Sequence, residues 1–404
     1  MRVSDAAQGG LALPRVVGLC LMAFFVLASY ALARPATESL FLQAHGSAAL
    51  PVAWILVALG AWGTVLAYNR MAARRSLGHV LRASILLSCV VLAVLLVLRS
   101  LGGPGAHYLL YVWKDVYIVV LIESLWAVAN SVFKVRHARW LYGLFTVMGS
   151  LGGICGNLLV GVVAARVGTA DTLWLVIPVL ASAWFAGGRL ATRSISGEPG
   201  PAKGGGQRSF GEGFGLVRRD RYLLLLLGVI ASVQVAITLV DFQFNAFVEA
   251  AFPDVDARTA AIGQVYAAID GGALLLQALT GPVLRVAGVR GTLLGIPLII
   301  AASLAVFAVG PRFLTAAIAK IAGKCFDYSL FRAAKELLYI PLSYQARTQG
   351  KAVIDILAYR VAKGGASLLL LGLIALSAPP LLVTGLALAM VAIWLALTFL
   401  LMRR

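Results

Sequence analysis

Long apolar runs broken by short polar gaps fill the chain from end to end. Residues 223–240 form one such run, continuous rather than alternating. Alternation suits a barrel strand, whereas an unbroken run of roughly 20 apolar residues suits a helix that crosses the hydrocarbon core. Inside hydrocarbon a backbone can satisfy its polar groups only as a helix or a closed barrel. The pattern predicts an all-α polytopic membrane protein with about twelve spans. They fall at 14–43, 50–69, 80–100, 106–132, 140–165, 172–192, 222–249, 258–284, 291–310, 312–340, 351–376 and 380–402. The gaps carry turn formers, among them Gly102-Gly103-Pro104-Gly105, Pro253-Asp254, Gly310-Pro311 and Pro379-Pro380. The first run is long and has no small-residue cleavage site, so it is expected to stay as a signal anchor.

Composition agrees: 61% of the 404 residues are hydrophobic and 12% charged, against about half and a quarter in soluble domains. The net charge of +18 would suit nucleic acid if it were clustered, but it is spread through the gaps. Counted by side, it follows the positive-inside rule. One face holds Arg2 and Arg15, then Arg70, Arg74, Arg75 and Arg82, then Lys134, Arg136 and Arg139. It also holds Arg189, Arg193, Lys203, Arg208, Arg218, Arg219, Arg221, Arg285, Arg290, Arg347, Lys351, Arg403 and Arg404. The other face keeps Arg99, Arg166, Arg258 and Arg312. This bias predicts an even number of crossings in the inner (cytoplasmic) membrane, with both termini cytoplasmic. Cys20, Cys89, Cys155 and Cys325 lie in apolar runs without a CxxC pair, so no disulfide framework is expected.

Residues 194–221 form the one linker, rich in glycine and proline around Gly204-Gly205-Gly206. It divides the chain into a six-span half at 1–193 and another at 222–404. A weak repeat supports the division. Ser124-Leu125-Trp126 in span 4 matches Ser329-Leu330-Phe331 in span 10, and each is followed by a basic loop and a helix with paired glycines, Gly152-Gly153 and Gly364-Gly365. Two related six-helix halves about an inside linker resemble the major facilitator superfamily, which implies a binding site between the halves near mid-membrane. The stretch GPVLRVAGVRG at 281–291 resembles that superfamily's glycine-and-arginine loop motif, whose first-half counterpart at 69–75 is degenerate.

No catalytic constellation is present: there is no HExxH and no GxSxG, so no enzyme activity and no cofactor are expected. His45, His79, His107 and His137 are widely separated, and no metal site is expected. The informative residues are charges inside spans, which are costly in a membrane and face a wet cavity or one another. The candidate substrate-binding set is Arg34, Glu38, Lys114, Asp115 and Glu123 in the first half, with Lys320, Lys324, Asp327, Arg360 and Lys363 in the second. At ~1.5 Å per residue, Arg34 and Lys114 lie roughly 12–15 Å deep. Lys324, Arg360 and Lys363 come to a similar layer, and positions 320, 324, 327, 331 and 335 form one stripe if span 10 is a continuous helix. Lys335 and Glu336, nearer the cytoplasmic end, read as gate or loop anchors. A mid-membrane cation layer suits a polyanionic small molecule, since phosphate oxygens accept Arg forks and Lys point charges. The same cations could instead serve only as interhelical locks with the nearby acids. Tyr30, Trp113, Tyr117 and Tyr359 are interleaved and could pack or stack. The glycines of span 5 (Gly149, Gly152, Gly153, Gly156 and Gly161) predict close helix packing.

The segments 27–51 (LASYALARPATESLFLQAHGSAALP), 133–156 (FKVRHARWLYGLFTVMGSLGGICG) and 326–360 (FDYSLFRAAKELLYIPLSYQARTQGKAVIDILAYR) resemble the bacterial and plastid ATP/ADP translocases. That resemblance implies nucleotide exchange across a membrane, without chemistry on the nucleotide. In that family Arg-Pro in the first helix tends to be followed by a second Arg and an acid. Arg34, Pro35 and Glu38 fit, while Thr37 replaces the second Arg. The expected partners are an anionic nucleotide or other phosphorylated compound and the lipid bilayer, not nucleic acid, and a monomer is expected. The competing readings are a proton-coupled carrier of another organic anion or drug, using Glu38, Asp115 or Asp270, and a non-transporting membrane binding module.

Overall fold

The computed structural model describes residues 13–72, 76–103, 105–132, 135–194 and 206–403. Among these, every regular element is helical. The first six spans are Leu13–His45, Leu50–Ala72, Leu77–Ser100, Ala106–Val132, Val135–Val167 and Val176–Ser194, the last entered through the short turns Thr169–Thr172 and Leu173–Leu175. Span 7 is Arg221–Ala251. Spans 8 and 9 run together as Val255–Val309, a 55-residue helix interrupted at Gly288, where φ is 67° and ψ 174°. The expected loop at 281–291 is therefore a single-residue break in an otherwise helical path. Span 10 is split into Phe313–Tyr328 and Leu330–Leu337 by Ser329, at φ −124° and ψ −100°. That break overturns the continuous stripe expected from 320 to 335. Span 11 opens with the π-turn Ala346–Gly350, continues as Lys351–Ile356, turns π again at Leu357–Val361 and ends as Ala362–Ala375. Span 12 is Pro380–Met402.

Nine helical stretches among the described residues are long and apolar enough to cross a membrane, and one of them is the bent Val255–Val309. Span 4 and the two pieces of span 10 fall outside that set. They are also the helices that carry Lys114, Asp115 and Glu123 and Lys320, Lys324 and Asp327. With the bent helix counted as two, the fold has twelve spans. Span 3 shows why both of its faces are apolar. Leu81, Ile85, Leu92 and Leu96 are buried, while Leu86, Val90, Val94 and Val97 are exposed at helical spacing. A helix in water would carry polar residues on that second face.

The chain forms two compact units, one from Met1–Glu38 with Gly60–Ala202, the other from Ser39–Leu59 with Lys203–Arg404. In the first unit, span 5 lies hard against span 1. A Cβ at Gly152 would fall 2.1 Å from the Phe24 carbonyl oxygen, and one at Gly156 would fall 2.6 Å from that of Ala28. The glycines of span 5 are therefore a backbone contact surface.

In the second unit, the connection between spans 1 and 2 is fastened to the turn between spans 7 and 8. The Ser47 amide donates to Glu249 Oε2 at 2.8 Å, and Ser39 Oγ donates to the Val255 carbonyl at 2.8 Å. Gly46 sits at φ 71°, which brings its amide neighbour onto the Glu249 carboxylate; a Cβ there would lie 3.3 Å from Glu249 Oε1. Arg258, counted above as an outside loop charge, is 4% exposed. Its guanidinium donates to the carbonyls of Phe252 at 2.8 Å, Pro253 at 3.1 Å and Ser39 at 3.3 Å. It closes a turn by satisfying carbonyls that helix ends leave open.

Residues 195–205 of the expected linker lie outside the described residues. Its remainder is not a loop. Gly206–Arg219 is a helix packed on the start of span 11, close enough that a Cβ at Gly213 would meet the Gln349 carbonyl oxygen at 2.8 Å. Val217 is buried in that contact region at 2% exposure.

Candidate functional site

The first unit gathers four of the expected charges into one alternating chain. Arg34 and Glu38 stand one turn apart on span 1, with Arg34 Nε 3.4 Å from Glu38 Oε1. Span 4 brings Lys114 Nζ to 3.5 Å from the same oxygen and to 2.9 Å from Asp115 Oδ1. Tyr30 donates its hydroxyl to Asp115 Oδ1 at 3.2 Å, and its ring lies 5.6 Å below the Arg34 guanidinium. Cation, anion, cation, anion and tyrosine thus close a ring. Lys114 is 1% exposed and Glu38 4%. The Lys114 ammonium also stands 4.0 Å over the Tyr111 ring, and Trp113 stacks on Tyr117 at 4.3 Å. Thr37 is buried, and its hydroxyl makes no hydrogen bond. Glu123, two turns further along span 4, is exposed and stands apart from this set.

The second unit builds a matching device from span 7 and span 10. Asp241 receives two lysines, Lys320 at 3.5 Å on Oδ1 and Lys324 at 3.0 Å on Oδ2. Lys320 is 1% exposed, donates to the Tyr266 hydroxyl at 3.0 Å and packs over the Phe244 ring at 3.9 Å. Asp241 and Tyr266 were not in the expected set. Lys324 was expected to contact substrate, with locking to a nearby acid as the alternative; in the structure it pairs with Asp241 of span 7. Asp241 meets both lysines across the helix interface. Asp327 is buried beside the break at Ser329, and its Oδ1 accepts no hydrogen bond. Lys363 packs 5.6 Å from the Trp54 ring. Arg360 is exposed on the π-turn Leu357–Val361. Lys335 pairs with Asp355 at 3.2 Å and Lys351 with Glu336 at 2.5 Å, tying the second piece of span 10 to the start of span 11.

The structure therefore joins Arg34, Glu38, Lys114 and Asp115 in one unit, and Lys320 and Lys324 in the other. It leaves Glu123 and Arg360 outside those contacts, while Lys363 stands within electrostatic reach of Asp241 and Asp327 within that of Lys324. Each half uses a carboxylate on its first helix to hold a buried lysine from its fourth. Spacing on one helix could reveal Arg34–Glu38, but Asp241 gave no signal beyond a charge at the end of an apolar run. A buried ion pair is a poor source of stability, because desolvation offsets most of the attraction. Two such clusters inside spans are thus better explained by function than by folding. Among the described residues no group of three or more His, Cys, Asp or Glu could hold a metal ion.

Nine membrane-crossing stretches among the described residues, one of them bent, with a buried cation–carboxylate device in each unit, define an integral membrane protein. Solved structures share its fold. A mutant of the nucleoside transporter NupG superposes with a TM-score of 0.73 at 11% identity, covering 96% of this chain and 99% of that one. A bacterial homologue of the iron transporter ferroportin, in an inward-facing state, gives 0.68 at 12% identity, covering 98% and 100%. The fold is that of the major facilitator superfamily. The chain belongs to the TLC ATP/ADP transporter family, whose sequence profile matches residues 200–404. That places it in a family of transporters, not of enzymes. It is similar to ADP,ATP carrier protein 1 of Chlamydia muridarum, at 25% identity over 324 residues, covering 70% of this chain and 60% of the carrier. ADP,ATP carrier protein 5 of Rickettsia conorii is 24% identical over 333 residues, covering 67% and 62%. The match thus spans about 60% of the length of these curated relatives.

Proposed function

We propose that this protein moves a nucleotide or a similar phosphorylated organic anion across the inner membrane by alternating access, and that it works by exchange. The observation that carries this reading is the pair of lysines, Lys114 and Lys320, each 1% exposed inside a span and each held by a carboxylate. Such ammonium groups are costly to bury, and they offer an anionic substrate strong contacts in a low dielectric. The names of the carriers it resembles support a nucleotide as the cargo. Arg34, Lys114, Lys320 and Lys324 are the residues assigned to phosphate contact. Tyr30 and Tyr266 position them, and Glu38, Asp115 and Asp241 hold them until substrate arrives.

Exchange follows from electrostatics. An empty carrier must close with Lys320 and Lys324 sharing the single carboxylate of Asp241, an excess of buried positive charge, whereas a loaded one carries that excess neutralised. Proteoliposomes preloaded with unlabelled ATP or ADP should therefore take up labelled nucleotide much faster than empty ones. Equal rates would contradict exchange. Proton coupling is the second reading, and the buried Asp327, with an oxygen that accepts no hydrogen bond, favours it. Uptake by empty vesicles driven by an imposed pH gradient would establish it.

Both termini and the 194–221 linker are assigned to the cytoplasm from the charge bias alone. A reporter fused after Arg404 should read as cytoplasmic. A periplasmic signal there would overturn this orientation.

A further inference from the structure

The first unit has a groove whose lining shares no residue with the cation cluster. It lies where the N-terminal ends of spans 1 and 3 meet span 6, and its volume is about 810 Å³. The helices are close here: a Cβ at Gly187 would fall 2.8 Å from Met22 Sδ. The described lining includes two arginines, Arg15 and Arg82. The Arg82 guanidinium stands 5.8 Å over the Trp184 ring. The rest of the wall is apolar and open to the surroundings, with Phe185 68% exposed, Val17 46% and Leu21 39%.

These features combine two chemistries. Consecutive spans alternate in direction, so the starts of spans 1 and 3 reach the same membrane surface. Arg15 is the third residue of span 1 and Arg82 the sixth of span 3. At ~1.5 Å per residue both lie within about 8 Å of a helix end, the depth of lipid headgroups rather than of the hydrocarbon centre. Guanidinium forks there match phosphate oxygens, and an indole face under one of them restrains it at the interface. The exposed aliphatic and aromatic side chains beside them fit hydrocarbon, not a soluble anion.

We propose that this groove is a binding site for one anionic phospholipid, its phosphate on Arg82 and Arg15 and its acyl chains along Val17, Leu21 and Phe185. Basic pockets between helices near a membrane surface suit such headgroups. The site is separate from the proposed transport cluster, so it stands whether or not the cargo is a nucleotide.

The test uses the purified full chain in detergent, titrated with dioleoyl-phosphatidylglycerol, dioleoyl-phosphatidylcholine or inorganic phosphate. Bound lipid is counted by native mass spectrometry and stability is read by thermal unfolding. Phosphatidylglycerol should bind roughly tenfold or more tightly than phosphatidylcholine, the effect of a charge-assisted contact. Arg15→Gln with Arg82→Gln should abolish that preference, while Arg82→Lys alone should keep part of it. If the double variant fails to fold, Arg15→Gln with Arg82→Lys should still weaken phosphatidylglycerol selectively. Equal binding of the two lipids would overturn the proposal, as would a preference that survives the arginine substitutions. Displacement of phosphatidylglycerol by inorganic phosphate would also overturn it and assign the groove to a free anion.

Discussion

Lys114→Met is expected to destabilise the protein by ~3–5 kcal/mol, the usual cost of breaking a buried ion pair from one side. The ammonium touches Asp115 at 2.9 Å, Glu38 at 3.5 Å and the Tyr111 ring at 4.0 Å, and it is 1% exposed. Without it, two carboxylates share a poorly solvated site with Arg34 as the cation at hand. Thermal unfolding in detergent reads this loss. Adding Asp115→Asn removes one of those carboxylates and should recover much of the stability. What it should not recover is substrate binding, because a lost charge-assisted phosphate contact is worth roughly 1.5–3 kcal/mol, about ten- to a hundredfold in affinity. A double variant that folds and transports normally would make Lys114 a lock between spans 1 and 4 and nothing more.

The second large effect belongs to Asp241. Asp241→Asn removes the carboxylate that both Lys320 and Lys324 contact, at 3.5 and 3.0 Å. A loss of ~3–5 kcal/mol is expected again, with transport abolished. Asp327→Asn is the informative comparison: Oδ1 of each carboxylate accepts no hydrogen bond, but Asp241 has two lysine nitrogens within 3.5 Å and Asp327 is in none of the ion pairs described. Neutralising it should cost less than about 1 kcal/mol or even stabilise the fold, because an underused buried carboxylate is itself a burden. Paired unfolding curves check the difference. If Asp327→Asn were as damaging as Asp241→Asn, the second cluster would be centred on the wrong carboxylate.

The spans were legible because hydrocarbon imposes a one-dimensional rule: length and apolarity suffice to mark a helix such as Arg221–Ala251. Contacts along one helix were legible for the same reason, and Arg34 with Glu38 follows from four-residue spacing. Contacts between helices were not. Which residue of span 7 faces Lys324 depends on the rotation and offset of two helices, and nothing in the run 223–240 encodes that. Asp327 is nearer to Lys324 in sequence, yet Asp241 is its partner. The break at Ser329 was equally hidden. No glycine or proline marks it, and it is supported from elsewhere: Gln277 Nε2 donates to the Tyr328 carbonyl at 3.2 Å, and Ser329 Oγ to that of Cys325 at 2.5 Å. The linker helix Gly206–Arg219 escaped notice because its glycines and charges weaken helix propensity, while its packing on the start of span 11 compensates. The π-turns of span 11 carry no local sequence mark either, and Arg360, on the second of them, is exposed.

The central claim is that these buried cations serve a phosphorylated anion, and ligand-dependent melting of the purified protein tests it most directly. A ligand that binds only the folded state stabilises it by about 2.7 kcal/mol at a hundred times its Kd. ATP and ADP should raise the melting temperature saturably, adenosine should not, and sugar phosphates and other anions rank the alternatives. Arg34→Ala with Glu38→Ala removes a buried pair together, so it should fold yet lose the nucleotide response. A melting temperature unmoved by every phosphorylated compound, or raised as much by adenosine as by ATP, would contradict the claim.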